Sequence, residues 1–217
     1  MPLEIYQFPC LSDNYGFLLH DPDSRETAAI DTPDGAEYLK QAEAKGWRIT
    51  QIWNTHWHPD HAGGNKAIVE ASGAKVIAPQ EVEKLSPIDQ VVTHGDEVSL
   101  GAHSARLIDV SGHTNGHIAF HLADDGIAFV GDALFALGCG RMFEGEPGQF
   151  WESLSRLKAL PADKLVELLH LSKPIGYIAP NQRSVRVIGR HLHLLRIYRQ
   201  GGITPPGAMR IGEGDLD

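Results

Sequence analysis

The chain has 217 residues, 19 Lys and Arg against 28 Asp and Glu, 12 His and 2 Cys, with 42% hydrophobic and 22% charged residues. These proportions suit a soluble globular protein of one ordinary domain, or a domain with a short appendage, and exclude collagen-like, coiled-coil and disordered chains. The net charge of -9 is uneven: residues 1–167 hold 12 basic and 25 acidic side chains and residues 168–217 hold 7 and 3, an acidic body that argues against nucleic acid or membrane as partner.

In chain order, Leu3 to Gln7, Tyr15 to His20 and Thr27 to Asp31 read as strands, paired like hairpins within the first 30 residues. Gly35 to Lys45 reads as a helix stopped by Gly46, Ile49 to Asn54 as a strand, Asn65 to Ser72 as a helix stopped by Gly73, and Lys75 to Ala78 as a strand. Hairpin-like pairing is expected again from 97 to 131, with strands at Ala105 to Val110, His117 to Leu122 and Ile127 to Gly131 and a turn at Asp124-Asp125-Gly126. A helix from Gln149 to Leu160, stopped by Pro161, and a strand from Leu165 to His170 follow. So many hairpins exclude an all-parallel sheet, and the expected class is α/β with two mixed sheets and outer helices.

Residues 1–170 read as one domain and 171–217 as a separate basic segment, because the charge balance changes sign near 171. Within that segment Val185, Ile188, Leu192 and Leu195 recur at helical spacing among Arg183, Arg186, Arg190 and Arg196, and Gly201-Gly202 would end the helix. A helix packed on the core, followed by an irregular tail, is expected there. The N-terminal MPLEIYQFPC lacks a basic start and an apolar stretch, no run of about 18 apolar residues occurs, and Cys10 and Cys139 are too few for a disulfide framework. A cytoplasmic address is the expectation, with both cysteines as packing residues.

The most informative stretch is Thr55-His56-Trp57-His58-Pro59-Asp60-His61, where the strand Ile49 to Asn54 runs out. At a strand end His56 and His58, two apart, project to one side, while a turn at Pro59 lets Asp60 and His61 face a second point nearby. That arrangement suits two adjacent metals, which need more ligands from other strand ends. Gly112-His113-Thr114-Asn115-Gly116-His117 and Gly131-Asp132 supply such groups beside glycines, where backbones can approach closely. His117 fits better as an orienting histidine than as a ligand.

These three segments resemble the signature of the metallo-β-lactamase superfamily, whose fold is an αββα sandwich. Within it, Leu11-Ser12-Asp13-Asn14-Tyr15 and Gly138-Cys139-Gly140-Arg141-Met142-Phe143-Glu144-Gly145 resemble the glyoxalase II branch, the likeness covering residues 3 to about 166. The resemblance implies that His56, His58 and His113 hold one metal, that Asp60 and His61 bind a second and that Asp132 bridges them. It also implies a last ligand some 38 residues after the bridging Asp, the position of His170, although Leu171 and Ser172 stand where the branch has Glu and Tyr. The implied cofactor is a pair of divalent ions, zinc foremost, with iron or manganese as alternatives since no thiolate is in the set.

The implied activity is hydrolysis of a small-molecule thioester, S-D-lactoylglutathione or a related acylglutathione, with Asp60 and Asp132 as catalytic carboxylates. Arg141 would meet a substrate carboxylate through its fork and Phe143 would form an apolar wall. No Gly-x-Ser-x-Gly elbow offers an alternative nucleophile. Other readings are a mononuclear iron persulfide dioxygenase, a lactone or β-lactam hydrolase of the same superfamily, and a metal-binding relic without turnover. Oligomeric state is not legible.

Overall fold

The computed structural model describes residues 1–135 and 138–160, and the backbone of residues 167–169. Strand residues alternate between two faces, and apolar side chains at successive positions therefore feed separate cores. In β2 (Asn14–His20), Phe17 and Leu19 point into the core between the sheets while Leu18 packs under the helices of the first sheet. In β10 (Ile127–Phe129), Ile127 and Phe129 join the central core and Ala128 the outer core of the second sheet.

The first sheet has the order β1 (Glu4–Cys10), β2, β3 (Thr27–Ile30), β4 (Gln51–Trp53), β5 (Lys75–Ala78), β6 (Gln90–Val91). The first three strands pair antiparallel; β3 to β6 run parallel. The second sheet has the order β11 (Glu167–Leu169), β10, β9 (Ile118–Leu122), β8 (His103–Asp109), β7 (Glu97–Leu100), antiparallel except for the parallel pair β10 and β11. Trp53 stacks on Phe120 at 5.2 Å between ring centroids and Phe17 meets Phe129 edge-on at 6.1 Å, joining the two sheets through fully buried rings. Burying each such ring stabilises the sandwich by about 2–3 kcal/mol.

Helices cover the outer faces. Helix α1 (Gly35–Lys45) starts where the Asp34 carboxylate accepts from the amides of Ala36 and Glu37, and ends at Gly46 with φ 71°. Helix α2 (Pro59–Ala62) begins with Pro59, and α3 (Asn65–Ser72) ends at Gly73, also at φ 71°. Tyr38 and Ile68, from α1 and α3, are buried against the first sheet, and Phe150 and Leu157 of α4 (Pro147–Lys158) against the second. The αββα sandwich expected from the sequence is the observed architecture.

Differences in detail have local causes. β1 runs past the expected Gln7 to Cys10 and includes Pro9, which is tolerated because β1 is an edge strand. β10 stops at Phe129, short of the expected Gly131, because Val130 at φ -108° and ψ -1° leaves the extended conformation and a 3-10 turn, Gly131–Ala133, follows. β6 and α2, of two and four residues, are too short to carry a periodic pattern. The boundary near 171, the helical reading of 183–196 and the end of the expected strand at His170 lie outside the described residues. No helix among the described residues is long and apolar enough to cross a membrane.

Candidate metal centre

Parallel pairing brings the ends of β3 and β4 together, and antiparallel returns in the second sheet bring the end of β8 and the end of β10 to face them. Four loops meet there, carrying Asp31, then His56 to His61, then His113 to His117, then Asp132. His56, His58 and His113 place one ligand atom each within 4.8 Å of one another, and His56, His61 and Asp132 do the same. β11 runs parallel to β10 with Leu169 opposite Phe129, so its end lies beside the strand end that leads to Asp132. His170 itself falls outside the described residues.

Hydrogen bonds behind the histidines fix which nitrogen looks inward. Thr55 Oγ1 donates to Asp31 Oδ2 at 2.8 Å, so it accepts from His56 Nδ1 at 3.0 Å. His61 Nδ1 donates to Asp31 Oδ2 at 2.9 Å and His113 Nδ1 to the carbonyl of Arg141 at 2.6 Å. His56 and His113 have therefore committed the Nδ1 proton outward and turn a bare Nε2 to the common space, the arrangement that prepares imidazole for a metal, and His61, with Nδ1 held the same way, aims its Nε2 at Asp132. His117 is different: its Nε2 accepts from the amide of Asp132 at 3.1 Å and its Nδ1 faces the carbonyl of Ile118, so its lone pair is already used. It stacks on His56 at 4.5 Å and steadies two loops at once.

The inward atoms are crowded in a way that a cation would relieve. His56 Nε2 and His113 Nε2 each lie 3.0 Å from His58 Nδ1, which has one proton at most to offer both. His61 Nε2 and Asp132 Oδ1 are buried and, although 3.2 Å apart, have no hydrogen-bond partner among the described residues. Tetrahedral zinc with nitrogen ligands at about 2.0–2.1 Å would hold them about 3.3 Å apart, close to the spacing found. Four imidazoles and a carboxylate fit divalent metal, and the cluster is a metal-binding one.

Electrostatics agree. Burial, followed by the neighbouring imidazoles, pushes His56 well below its ordinary value, and burial drives His117 down to about 3. Burial also lowers His58 and His113, which therefore offer neutral rings near neutral pH. For His61 burial works downward, but the carboxylates of Asp132 and Asp31 on either side outweigh it and raise the group well above its ordinary value. For Asp132 burial works upward, and the positive charge on His61 overrides it and holds the carboxyl well below the usual range.

Asp60 lies at the rim, its Oδ2 3.6 Å from His61 Nε2 and its carboxylate about half exposed, at 48%. Arg141 is exposed, with its backbone against His113. Phe143, 61% exposed, sets its ring 5.5 Å from His58 and 5.3 Å from His113. Asn14, from the Leu11 to Tyr15 motif, donates to the carbonyl of Asp60 at 3.3 Å. Cys10 is buried, with its thiol pushed up to about 11 by burial, and Cys139 packs against the outer core of the second sheet.

Sequence reading missed Asp31. It is fully buried at φ 44° and also accepts from the amide of Thr55 at 2.7 Å. A signal existed, since Asp31 ends a strand just as Asp132 does. Also missed was a buried amide chain: Asn65 Nδ2 donates to Asn54 Oδ1 at 2.7 Å and Asn54 Nδ2 to the carbonyl of His61 at 2.9 Å.

Residues 19–166 match the sequence profile of the metallo-beta-lactamase superfamily. A protein of Erythrobacter litoralis described as hydroxyacylglutathione hydrolase is 75% identical over 181 residues, which are 83% of this chain and 70% of that protein. One of Hyphomonas neptunium with the same description is 61% identical over 160 residues, which are 73% of this chain and 62% of that protein. The solved structure of ETHE1 from Myxococcus xanthus superposes with a TM-score of 0.69 at 28% identity, covering 94% of this chain and 92% of the other.

Proposed function

The chain belongs to the metallo-beta-lactamase superfamily, and from that membership we propose that it is a metal-dependent hydrolase of glutathione thioesters, S-D-lactoylglutathione or a close acylglutathione. The observation that carries the reading is the facing of bare Nε2 atoms and unpartnered carboxylate oxygen in one buried cluster, joined to relatives described as hydroxyacylglutathione hydrolases. Two divalent ions, zinc foremost with iron or manganese as alternatives, would supply Lewis acidity and a water acidified towards neutral pH.

His56, His58 and His113 would hold the first ion, and Asp60 and His61 the second. Asp132 is suited to bridge, because its Oδ2 lies 3.3 Å from His113 Nε2 while its Oδ1 lies 3.2 Å from His61 Nε2. His170 would complete the second set. The half-exposed Asp60 can orient the attacking water and take up its proton, while Asp31 and Thr55 keep the ligand rings from rotating. Arg141 would clamp a carboxylate of the glutathione moiety, with Phe143 as an apolar wall. Cytoplasmic location is part of the same proposal, since the substrate thiol belongs to a reducing compartment.

Metal analysis of purified protein together with hydrolysis of S-D-lactoylglutathione tests it. Two ions per chain and turnover of the thioester are expected. A single iron with no thioester cleavage would favour the persulfide dioxygenase alternative instead.

A further inference from the structure

The segment from Gly140 to Gly145 is zipped along the loop that carries His113. Gly140 N donates to the carbonyl of Asp132 at 3.0 Å, Phe143 N to that of His113 at 3.2 Å, and Gly145 N to that of Gly112 at 3.2 Å. Gly140 has no room for a side chain: a Cβ there would lie 2.2 Å from the Asp132 carbonyl oxygen. The side chain that fastens the segment is Glu144. Its Oε1 accepts from Trp57 Nε1 at 3.2 Å, between the ligands His56 and His58, and its Oε2 accepts from the amide of Asn115 at 2.9 Å. Lys84 sits over the Trp57 ring at 4.0 Å and 3.7 Å from Glu144 Oε1, screening the carboxylate.

We infer that Glu144 is a positioning residue that holds Arg141 and Phe143 against both metal loops and so sets affinity for the glutathione half of the substrate. The inference rests on the reading of Arg141 as a carboxylate clamp. The hydrogen bonds to Glu144 are to a charged acceptor, whose pKa is held down first by the Asn115 amide, and such bonds are stronger than neutral ones. The metal loop does not depend on Glu144 alone. Glu81 grips the same loop as well, accepting from Thr114 Oγ1 at 2.6 Å and from the amide of Gly116 at 2.9 Å. Loss of Glu144 therefore removes the side-chain ties to Trp57 and Asn115 and loosens the Arg141 and Phe143 side chains, while the backbone bonds to Asp132, His113 and Gly112 keep the segment and His113 in place.

Glu144→Ala and Glu144→Gln test this, assayed on S-D-lactoylglutathione and on the uncharged ethyl thioacetate. For Glu144→Ala, KM for the glutathione thioester should rise about tenfold, with a loss on ethyl thioacetate at least about fivefold smaller. Metal per chain should match the wild type, and the Trp57 indole N–H resonance of metal-free protein should shift. Glu144→Gln, which keeps one acceptor oxygen, should give an intermediate KM. Equal losses on the two substrates, or an unmoved Trp57 resonance with unchanged KM, would overturn the inference. Wild-type protein that cleaves ethyl thioacetate but no glutathione thioester would defeat the substrate reading first, and this inference with it.

Discussion

Asp31 Oδ2 lies 2.9 Å from His61 Nδ1, and both side chains are out of contact with solvent. The pair joins the first sheet to the helix α2 loop, with Thr55 donating both its amide and its hydroxyl to the same carboxylate. One buried acidic group thus sets the orientation of two rings of the histidine cluster, His61 directly and His56 through Thr55.

Removing that carboxylate should be costly. Asp31→Ala leaves the His61 Nδ1 proton and the Thr55 amide buried without acceptors and places Ala at a positive φ, so a loss of about 3 kcal/mol is expected. Asp31→Asn keeps one acceptor oxygen and tolerates the left-handed backbone, so it should lose about half as much. Urea unfolding of the two variants, with metal content measured alongside, checks both the size and the order.

His56→Ala should leave the fold largely intact, because the ring contributes a proposed ligand atom and a stacking face rather than a core contact between sheets. Bound metal and thioester hydrolysis should both fall, activity by at least about a hundredfold. Circular dichroism, metal analysis and a rate assay on one preparation decide it, and full activity in the variant would remove His56 from the ligand set.

Arg141→Ala should raise KM for glutathione thioesters, by about tenfold or more for a lost bidentate carboxylate contact, with kcat little altered. Kinetics on charged and uncharged thioesters distinguish this from a structural role, in which both substrates would suffer alike.

Metal-free protein should lose stability as pH falls below about 6.5. His56 and His117 are buried with lowered pKa, so between their folded values and 6.5 the unfolded chain binds more protons and stability rises with pH. His61, raised by its carboxylate neighbours, works the other way, but its contribution is complete below 6.5 and is lost only as pH climbs through its folded value. Asp31, raised by burial, opposes the trend in part. A slope of about 1–3 kcal/mol per pH unit between pH 6.5 and 5 is expected in urea titrations of chelator-treated protein, and a flat profile would contradict the buried neutral imidazoles.

His170→Ala should lower bound metal from about two towards one per chain. The spacing from Asp132 and the parallel pairing of β11 with β10 support this expectation. Two ions persisting in the variant would show that Asp60, His61 and Asp132 suffice for the second.

The ligand cluster was legible in the sequence because its chemistry is local: His56, His58, Asp60 and His61 fall within six residues, and strand geometry dictates which of them share a side. Helix limits at Gly46 and Gly73 were legible for the same reason, since only a residue tolerant of positive φ ends a helix that way. Arg141 and Phe143 were found through motif resemblance, and their nearness to His113 and His58 follows only from the folded loops.

What the tertiary structure decided is which distant groups meet behind the ligands. Asp31 reaches His61 across 30 residues and Glu144 reaches Trp57 across 87; no spacing rule connects either pair. A lone Asp at the end of a strand and a lone Glu in a glycine-rich loop are ordinary surface residues until sheet pairing brings their partners within hydrogen-bond range. The sequence by itself determined the grouping of His and Asp side chains at 56–61 and the alternation that builds a two-sheet sandwich, because both depend on residues a few positions apart. The choice of inward nitrogen on each histidine, and the tie between Glu144 and Trp57, came only from packing, because a hydrogen bond to an imidazole or an indole is set by whatever group the fold places behind it.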